Sequence, residues 1–419
     1  MRETPALPRR RPLLHHLAQY SGAILLCGAT LIAQSAPSPP AAVPTISVYR
    51  PADPLNAAAF EHFYNLDYER AIAEFEQVER RHPGDFFAVN HVLTAVLFRE
   101  LDRVKALNSG DYSNDNFIAA AHLPGDPKVG QRIRDLVNQA EQLEAKRLEA
   151  NPNDVDALYA RGVTRAQYST YIALVERGWI TALRNAVGAR RDHERVLELD
   201  PTYTRAKLIV GAHNYVMGSL SWPVKVAVAM VGLSGSKEKG LELLQQAASG
   251  KDETSVDAKF LLEVFLRRER RYDESLQIVR GMIPMYPRNV LLALEEGNLL
   301  RAAGKNADAA VVYRKVWQMG RDGHFGALHY ELAAIALGDL LGSQKDYTGA
   351  AAAYELVSEV KEPDAEMLQR ANLRAGEMYD SLQKRDLALR KYQAVVASNG
   401  STSFAEAAKK CMGSPCHAE

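Results

Sequence analysis

Two pairs of side chains have the types that chemistry requires. His324 and His329 could offer imidazole ligands to a metal, and Glu295 with Glu296 could supply a general acid and a general base. Their spacing denies both roles. On a helix, residues five apart and residues adjacent in sequence point away from each other, whereas a shared site needs i, i+3 or i, i+4 spacing. No HExxH, GxxxxGK or GxSxG pattern occurs. The expectation is therefore no catalytic residue, no metal site, no cofactor and no enzymatic activity. A third pair, Cys411 and Cys416, is separated by "MGSP", whose Gly and Pro can turn the chain back. A local disulfide and two free thiols are both open, and the spacing is not that of a CxxC redox centre.

Whatever these side chains do is set by the elements that carry them, and composition bounds those elements. The chain has 419 residues, with 51 Lys plus Arg balanced by 51 Asp plus Glu. Zero formal net charge gives no basic excess to hold phosphates, so nucleic acid is not expected as a partner. At 47% hydrophobic and 24% charged, the composition is that of ordered protein. Residues 1–35 stand apart: Arg9, Arg10 and Arg11 precede "GAILLCGATLIA", and small residues follow, the layout of a secretory signal peptide with cleavage expected after Ser35. The apolar stretch falls short of the roughly 20 residues that span a bilayer, although retention as an anchor stays open. A Pro/Ala-rich linker at 36–54 follows. Export to the periplasm or cell envelope is the expectation. Loss of Cys27 with the leader would leave the even pair of cysteines that an oxidising compartment permits.

Helical periodicity then repeats along the chain. Val290 to Gly323 reads as helix, break at Gly304, helix, with small residues at Gly297 and Ala309 where two helices must approach closely. The window from Val256 to Asn289 aligns with it at a spacing of 34, with Leu262 and Leu266 in its first helix, Ser275, Val279 and Met282 in its second, and Pro287 after it. This pattern resembles the tetratricopeptide repeat. Ala71, Phe75 and Val78 match the second helix of that repeat, as do Ala189, His193 and Val196, Ala350, Tyr354 and Val357, and Ala388, Tyr392 and Val395. After Ala140, Glu144 and Arg147 put polar residues in apolar places. His193 reads as a packed core histidine, and "RRDHE" at 190–194 as a solvated helical face.

The resemblance, to exported bacterial proteins of this kind, implies an all-α superhelical solenoid of about eight hairpins over 55–397. Inserts such as "NSGDYSNDN" interrupt the early units, and a capping helix and tail occupy 398–419. It also implies a non-catalytic scaffold whose first helices line a concave face. Ligand-facing positions fall on Asp156, Tyr159, Gln167, Arg267, Arg268, Asn298 and Arg301, where Arg and Asn could hold a peptide carboxylate. The expected partner is a protein or peptide of the cell envelope. Reversing charge at Arg267, Arg268 and Arg301 together is expected to weaken its binding and leave helicity unchanged.

One stretch stands outside the repeat pattern. From Trp222 to Leu233 only Lys225 is charged. Ser221 as N-cap, Pro223 in the first turn and Gly232 at the end predict a compact helical insert, too short to cross a membrane. Burial of the insert, Trp222 included, against neighbouring helices is the expectation. The alternative is a peripheral membrane or lipid-associated adaptor that touches the bilayer through 219–233, with Trp222, Pro223 and Lys225 in the contact. Residues 218–244 are also locally similar to the eukaryotic inclusion-body-clearance family of tetratricopeptide proteins, which implies membrane or lipid-droplet surroundings.

Overall fold

A computed structural model describes residues 49–107, 112, 123–222, 225, 229 and 233–417. The chain divides after Thr45, and all described residues lie in the second unit, Ile46–Glu419. The signal peptide, the linker up to residue 48, the "NSGDYSNDN" insert apart from Tyr112, and Pro223 and Gly232 lie outside the described residues.

Among the described residues the second unit forms 17 α-helices and no strand. They pair in sequence as hairpins: α1 (Leu55–Tyr64) with α2 (Tyr68–Arg81), α3 (Phe86–Arg103) with α4 (Pro127–Ala150), α5 (Val155–Tyr171) with α6 (Trp179–Leu199), and α7 (Lys207–Ser219) with α8 (Lys237–Ala248). Then come α9 (Glu253–Arg268) with α10 (Tyr272–Met282), α11 (Val290–Ala302) with α12 (Asn306–Arg321), α13 (Glu331–Ser343) with α14 (Tyr347–Glu355), and α15 (Ala365–Ser381) with α16 (Arg385–Ser398). A last helix, α17 (Ser403–Gly413), covers the final hairpin. The arrangement is an all-α helical solenoid.

Local chemistry explains where each helix starts and stops. Asp85, Asp154, Asp252, Asn289 and Asp364 accept backbone N–H groups from the first turns of α3, α5, α9, α11 and α15. The turn inside a hairpin needs one left-handed residue. Gly304 supplies it at φ +75° with no Cβ to clash, while Leu66, Arg270, Lys345 and Gln383 adopt φ between 58° and 65° at the equivalent places. The conformation is held by its hydrogen bonds: Lys305 N–H donates to the Leu300 carbonyl at 2.9 Å, and Arg271 N–H to that of Leu266 at 2.8 Å.

Small residues on the first helix seat large ones from the second. A Cβ on Gly297, Gly338 or Gly376 would lie 2.4, 2.5 and 2.4 Å from the rings of Tyr313, Tyr354 and Tyr392. Gly162 seats His193 in the same way, and His193 is fully buried with Nδ1 2.8 Å from the Ala189 carbonyl. Burial pushes its imidazole down to about 4, so it is a neutral core residue at physiological pH. The repeat positions read from sequence as apolar, from Ala71, Phe75 and Val78 through Ala388, Tyr392 and Val395, are buried. Arg147 is the exception, its side chain turned outward to Asp154 at 2.7 Å.

Two polar groups depart from expectation. "RRDHE" is not a solvated face: Asp192 is 5% exposed and receives the guanidiniums of Arg161 and Arg165 at 2.5 and 2.6 Å, joining α5 to α6. Glu144 is fully buried, with Oε1 2.6 Å from Thr164 Oγ1. Burial raises its pKa to about 7.

The stack curves back on itself. First helices of neighbouring units pack on one another (α3 on α5, α7 on α9, α11 on α13, α13 on α15), while second helices meet their own partner and the next first helix. The side on which neighbouring elements crowd is the inside of the curve, so first helices line the inner face. The first hairpin reaches that face. Tyr64 Oη donates to Asp257 Oδ1 at 2.8 Å and its ring stacks on Phe260, both on α9. Asn289 Nδ2 donates to the Tyr64 carbonyl at 2.7 Å, and the Arg288 N–H to Asn65 Oδ1 at 2.8 Å. Phe60, Phe63 and Tyr64 share one hydrophobic cluster with Val256, Met282, Tyr286 and Leu292. Lys105, just beyond α3, meets Glu366 on α15 at 2.6 Å.

At the other end, Cys411 and Cys416 are joined by a disulfide across a Cα separation of 5.2 Å. The loop is held to the last hairpin: Arg385 donates to the Cys411 and Met412 carbonyls at 2.8 Å each, and the Cys416 N–H donates to buried Asp380 at 2.9 Å.

Candidate functional site

The inner face carries polar groups contributed by successive first helices, and they join across unit boundaries. On α9, Glu263 and Arg267 face Glu295 of α11, where Arg267 is ion-paired to Glu295. Glu263 is 3% exposed and hydrogen-bonded to Glu295, and Ser275 Oγ stands 3.2 Å from its Oε1. Burial, with the neighbouring Glu295 charge added, holds the Glu263 carboxyl well above the ordinary range. Asn298 Nδ2 donates to Glu295 Oε2 at 3.1 Å and its Oδ1 accepts from Tyr313 at 2.9 Å. Further along, Tyr354 donates to Asp339 Oδ1 at 2.7 Å, and Asp339 Oδ2 accepts from Arg370 of α15 at 2.7 Å. The tyrosines that fill the hairpins thus also fix the inner-face polar groups.

The residues assigned to the concave face from sequence fall into three groups. Tyr159 is 5% exposed, with its hydroxyl 3.0 Å from Thr254 Oγ1. Asp156 is ion-paired to Arg50 and accepts from Tyr203 at 3.3 Å. Both bind the early units to the start of α9 and to the N-terminal segment. Gln167 donates to Thr94 and belongs to a buried polar group with Asn90, Thr164 and Glu144. Arg267, Arg268, Asn298 and Arg301 lie towards the C-terminal ends of α9 and α11, each half-buried, and Arg267 and Asn298 meet at Glu295. Arg267 is the most committed of them, its side chain 13% exposed against Glu295 at 8%. A charge reversal that includes Arg267 would place the new carboxylate beside Glu295 and Glu263.

Sequence reading missed Asp339, Arg370 and Arg374. Asp339 and Arg370 occupy the ninth and second places of their units and could have been found by carrying the same offsets two units further. Arg370 and Arg374 keep side-chain exposures of 42% and 50%. His324 and His329 do not meet. The first lies 2.9 Å from the Pro287 carbonyl and the second 2.9 Å from Glu331. Among the described residues no group of three metal-ligating side chains comes together.

The insert departs from its expected burial where it can be seen. Trp222, Lys225 and Ala229 are helical and exposed, Trp222 at 77%, and the Lys225 N–H donates to the Ser221 carbonyl at 2.9 Å. The start of a helix at Ser221 agrees with its reading as an N-cap. Among the described residues, α7 has already ended at Ser219 and Leu233, at 6% exposure, is buried.

Paired helices of this length, rings seated on glycine and Asp or Asn caps define a solenoid of tetratricopeptide-type hairpins. Solved structures of that kind are similar to it. PilF of Pseudomonas aeruginosa aligns over 72% of this chain and 98% of its own at 16% identity and a TM-score of 0.30. A tetratricopeptide repeat protein of Parabacteroides merdae aligns over 80% and 97% at 13% identity and a TM-score of 0.31. Human IFIT1, in a dimer with m7Gppp-AAAA, aligns over 85% and 79% at 12% identity and a TM-score of 0.37. These scores add nothing to what the hairpins themselves establish. No protein-family model and no curated protein matches the chain.

Proposed function

We propose that the chain is an exported, non-catalytic scaffold that binds a protein or peptide of the bacterial cell envelope along the inner faces of its sixth to eighth units. The observation that carries this reading is the series Arg301, Asp339, Arg370 and Arg374 on α11, α13 and α15, charged side chains that keep contact with solvent on the side where first helices crowd. Fixed guanidiniums of this kind recognise carboxylates in pairs of hydrogen bonds and steer acidic partners. Zero net charge favours a polypeptide over a nucleic acid, whatever IFIT1 holds. Export is supported by the basic and apolar leader and by the Cys411–Cys416 disulfide, a bond that persists in oxidising compartments.

A second reading, the peripheral membrane or lipid-associated adaptor, is favoured by the exposure of Trp222.

Fractionation of cells followed by affinity capture tests the first reading. The mature chain is expected to begin near Ala36, to be found in the envelope fraction, and to bring down a protein. Intact Met1 in a cytoplasmic fraction would overturn export, and a mature chain that captures nothing from envelope extracts would overturn the scaffold.

A further inference from the structure

Five of the eight large apolar side chains exposed among the described residues lie on α6, α7 and the stretch after α7: Trp179 at 40%, Ile180 at 72%, Leu183 at 40%, Val216 at 44% and Trp222 at 77%. α6 and α7 pack on one another. Arg190 of α6 stands 3.1 Å from His213 of α7, and the turn between the helices is centred between them in sequence. In an antiparallel pair α7 runs back towards the N-terminal end of α6, and Trp222 follows three residues after its last residue, Ser219. The first turn of α6 is anchored: Ala182 is 4% exposed, and its carbonyl accepts from Ser169 at 2.7 Å. Trp179, Ile180 and Leu183 are turned outward by a fixed helix, preceded by the π-turn Ile172–Glu176.

Charge on these segments is mostly positive, and Glu238 of α8 stands within electrostatic reach of Lys225. Across residues 172–187 and 213–233 the cations are Arg177, Arg184 and Lys225, and the one carboxylate, Glu176, is paired with Arg134 at 2.8 Å. The Arg177 guanidinium lies 6.0 Å over the Trp179 ring. His213 adds no charge, because burial and the neighbouring Arg190 push it down to about 4. Indoles and aliphatic side chains interleaved with cations match the boundary between headgroups and acyl chains of an anionic bilayer, where tryptophan settles and each basic residue gains from the negative surface potential.

We infer that this end of the third and fourth units docks on an anionic lipid surface, with the first turn of α6 as one half of the contact and Trp222 as the other. The inference rests on the membrane-adaptor reading and adds to it the role of α6 and the charge of the lipid.

Co-sedimentation of the protein purified from cells with phosphatidylcholine vesicles, with and without 30% phosphatidylglycerol, tests it. Binding is expected to the anionic vesicles and to weaken by about tenfold or more at 0.5 M salt. Ile180→Asp with Leu183→Asp is expected to lower anionic-vesicle binding at least tenfold with helicity unchanged, since both side chains are already exposed. If Trp222→Asp abolishes vesicle binding while the α6 double variant binds as wild type, the adaptor reading stands and the role of α6 is overturned. Equal binding to both vesicle types overturns the lipid charge. Absence of binding to either, or a concentration-dependent dimer that the α6 variant disperses, overturns both.

Discussion

Replacing Arg267 by Glu is expected to lower stability by about 3–5 kcal/mol, the cost of breaking a buried ion pair by removing one partner. The Arg267 guanidinium is the positive side of a group that holds Glu295, and Glu295 in turn holds Glu263 and Asn298. With glutamate at this position, three carboxyl groups would stand together on the inner face between α9 and α11. Arg267→Lys keeps the charge but loses the planar fork, and its loss is expected to be smaller. Urea denaturation at pH 7 reads both values. Lowering the pH to 5 is expected to restore part of the stability of the Glu variant, since protonation removes the repulsion. A loss below about 1 kcal/mol, the range of exposed pairs, would show that Arg267 is solvated and that the group is not buried in solution.

The second large effect is a pH dependence centred on Glu144. Its pKa is raised by burial from the ordinary 4.5 to about 7, partly offset by the contact with Thr164 and by Arg161 and Arg165. The sign follows from proton linkage: between these two values the folded state holds a proton that the unfolded state has lost. Stability from this group is therefore fully present below about pH 4.5, falls as pH rises towards 7, and stays low above it. At 1.36 kcal/mol per unit the swing is roughly 3 kcal/mol. The hydrogen bonds agree with a protonated group. Thr164 Oγ1 lies within 2.8 Å of both Glu144 Oε1 and Asn90 Oδ1, and one hydroxyl proton cannot serve both. A carboxylic acid that donates to Thr164, which donates in turn to Asn90, gives each of the two contacts its own proton. Glu144→Gln keeps a donor and cannot ionise. The variant is expected to match wild type at pH 5 and to exceed it by about 2–3 kcal/mol at pH 8. A difference independent of pH would show that Glu144 is ionised throughout.

The elements were legible in the sequence because their physics is local and recurs. A glycine beneath a tyrosine 16 residues on, as in Gly297 with Tyr313, Gly338 with Tyr354 and Gly376 with Tyr392, leaves the same mark each time it is used. Capping by Asp154 and Asn289 two residues after a proline does the same. The closing of the stack left no such mark. Tyr64 and Asp257 are 193 residues apart, and nothing in either helix announces the other. For that reason Tyr159 and Asp156, read as ligand-facing, serve instead to hold the early units against the start of α9 and the N-terminal segment. Glu144 was visible as a polar residue in an apolar place, but its partners come from α3 and α5 and could not be read from α4 alone. Trp222 misled because an apolar run is equally consistent with a covered helix and with an uncovered one, and only its neighbours decide.

Of the inner-face cations, Arg301 offers the most direct test of the scaffold. It is half-buried at the last turn of α11, beside Tyr313, and removing it takes away a charge without stranding a buried carboxylate in the way that loss of Arg267 does. Capture of the envelope partner by Arg301→Ala should be compared with wild type at 0.15 M salt, with urea midpoints measured on both. An unchanged midpoint with capture reduced by about tenfold, the worth of one charge-assisted hydrogen bond, is the predicted result. Full capture by a variant of unchanged stability would contradict binding along the inner face.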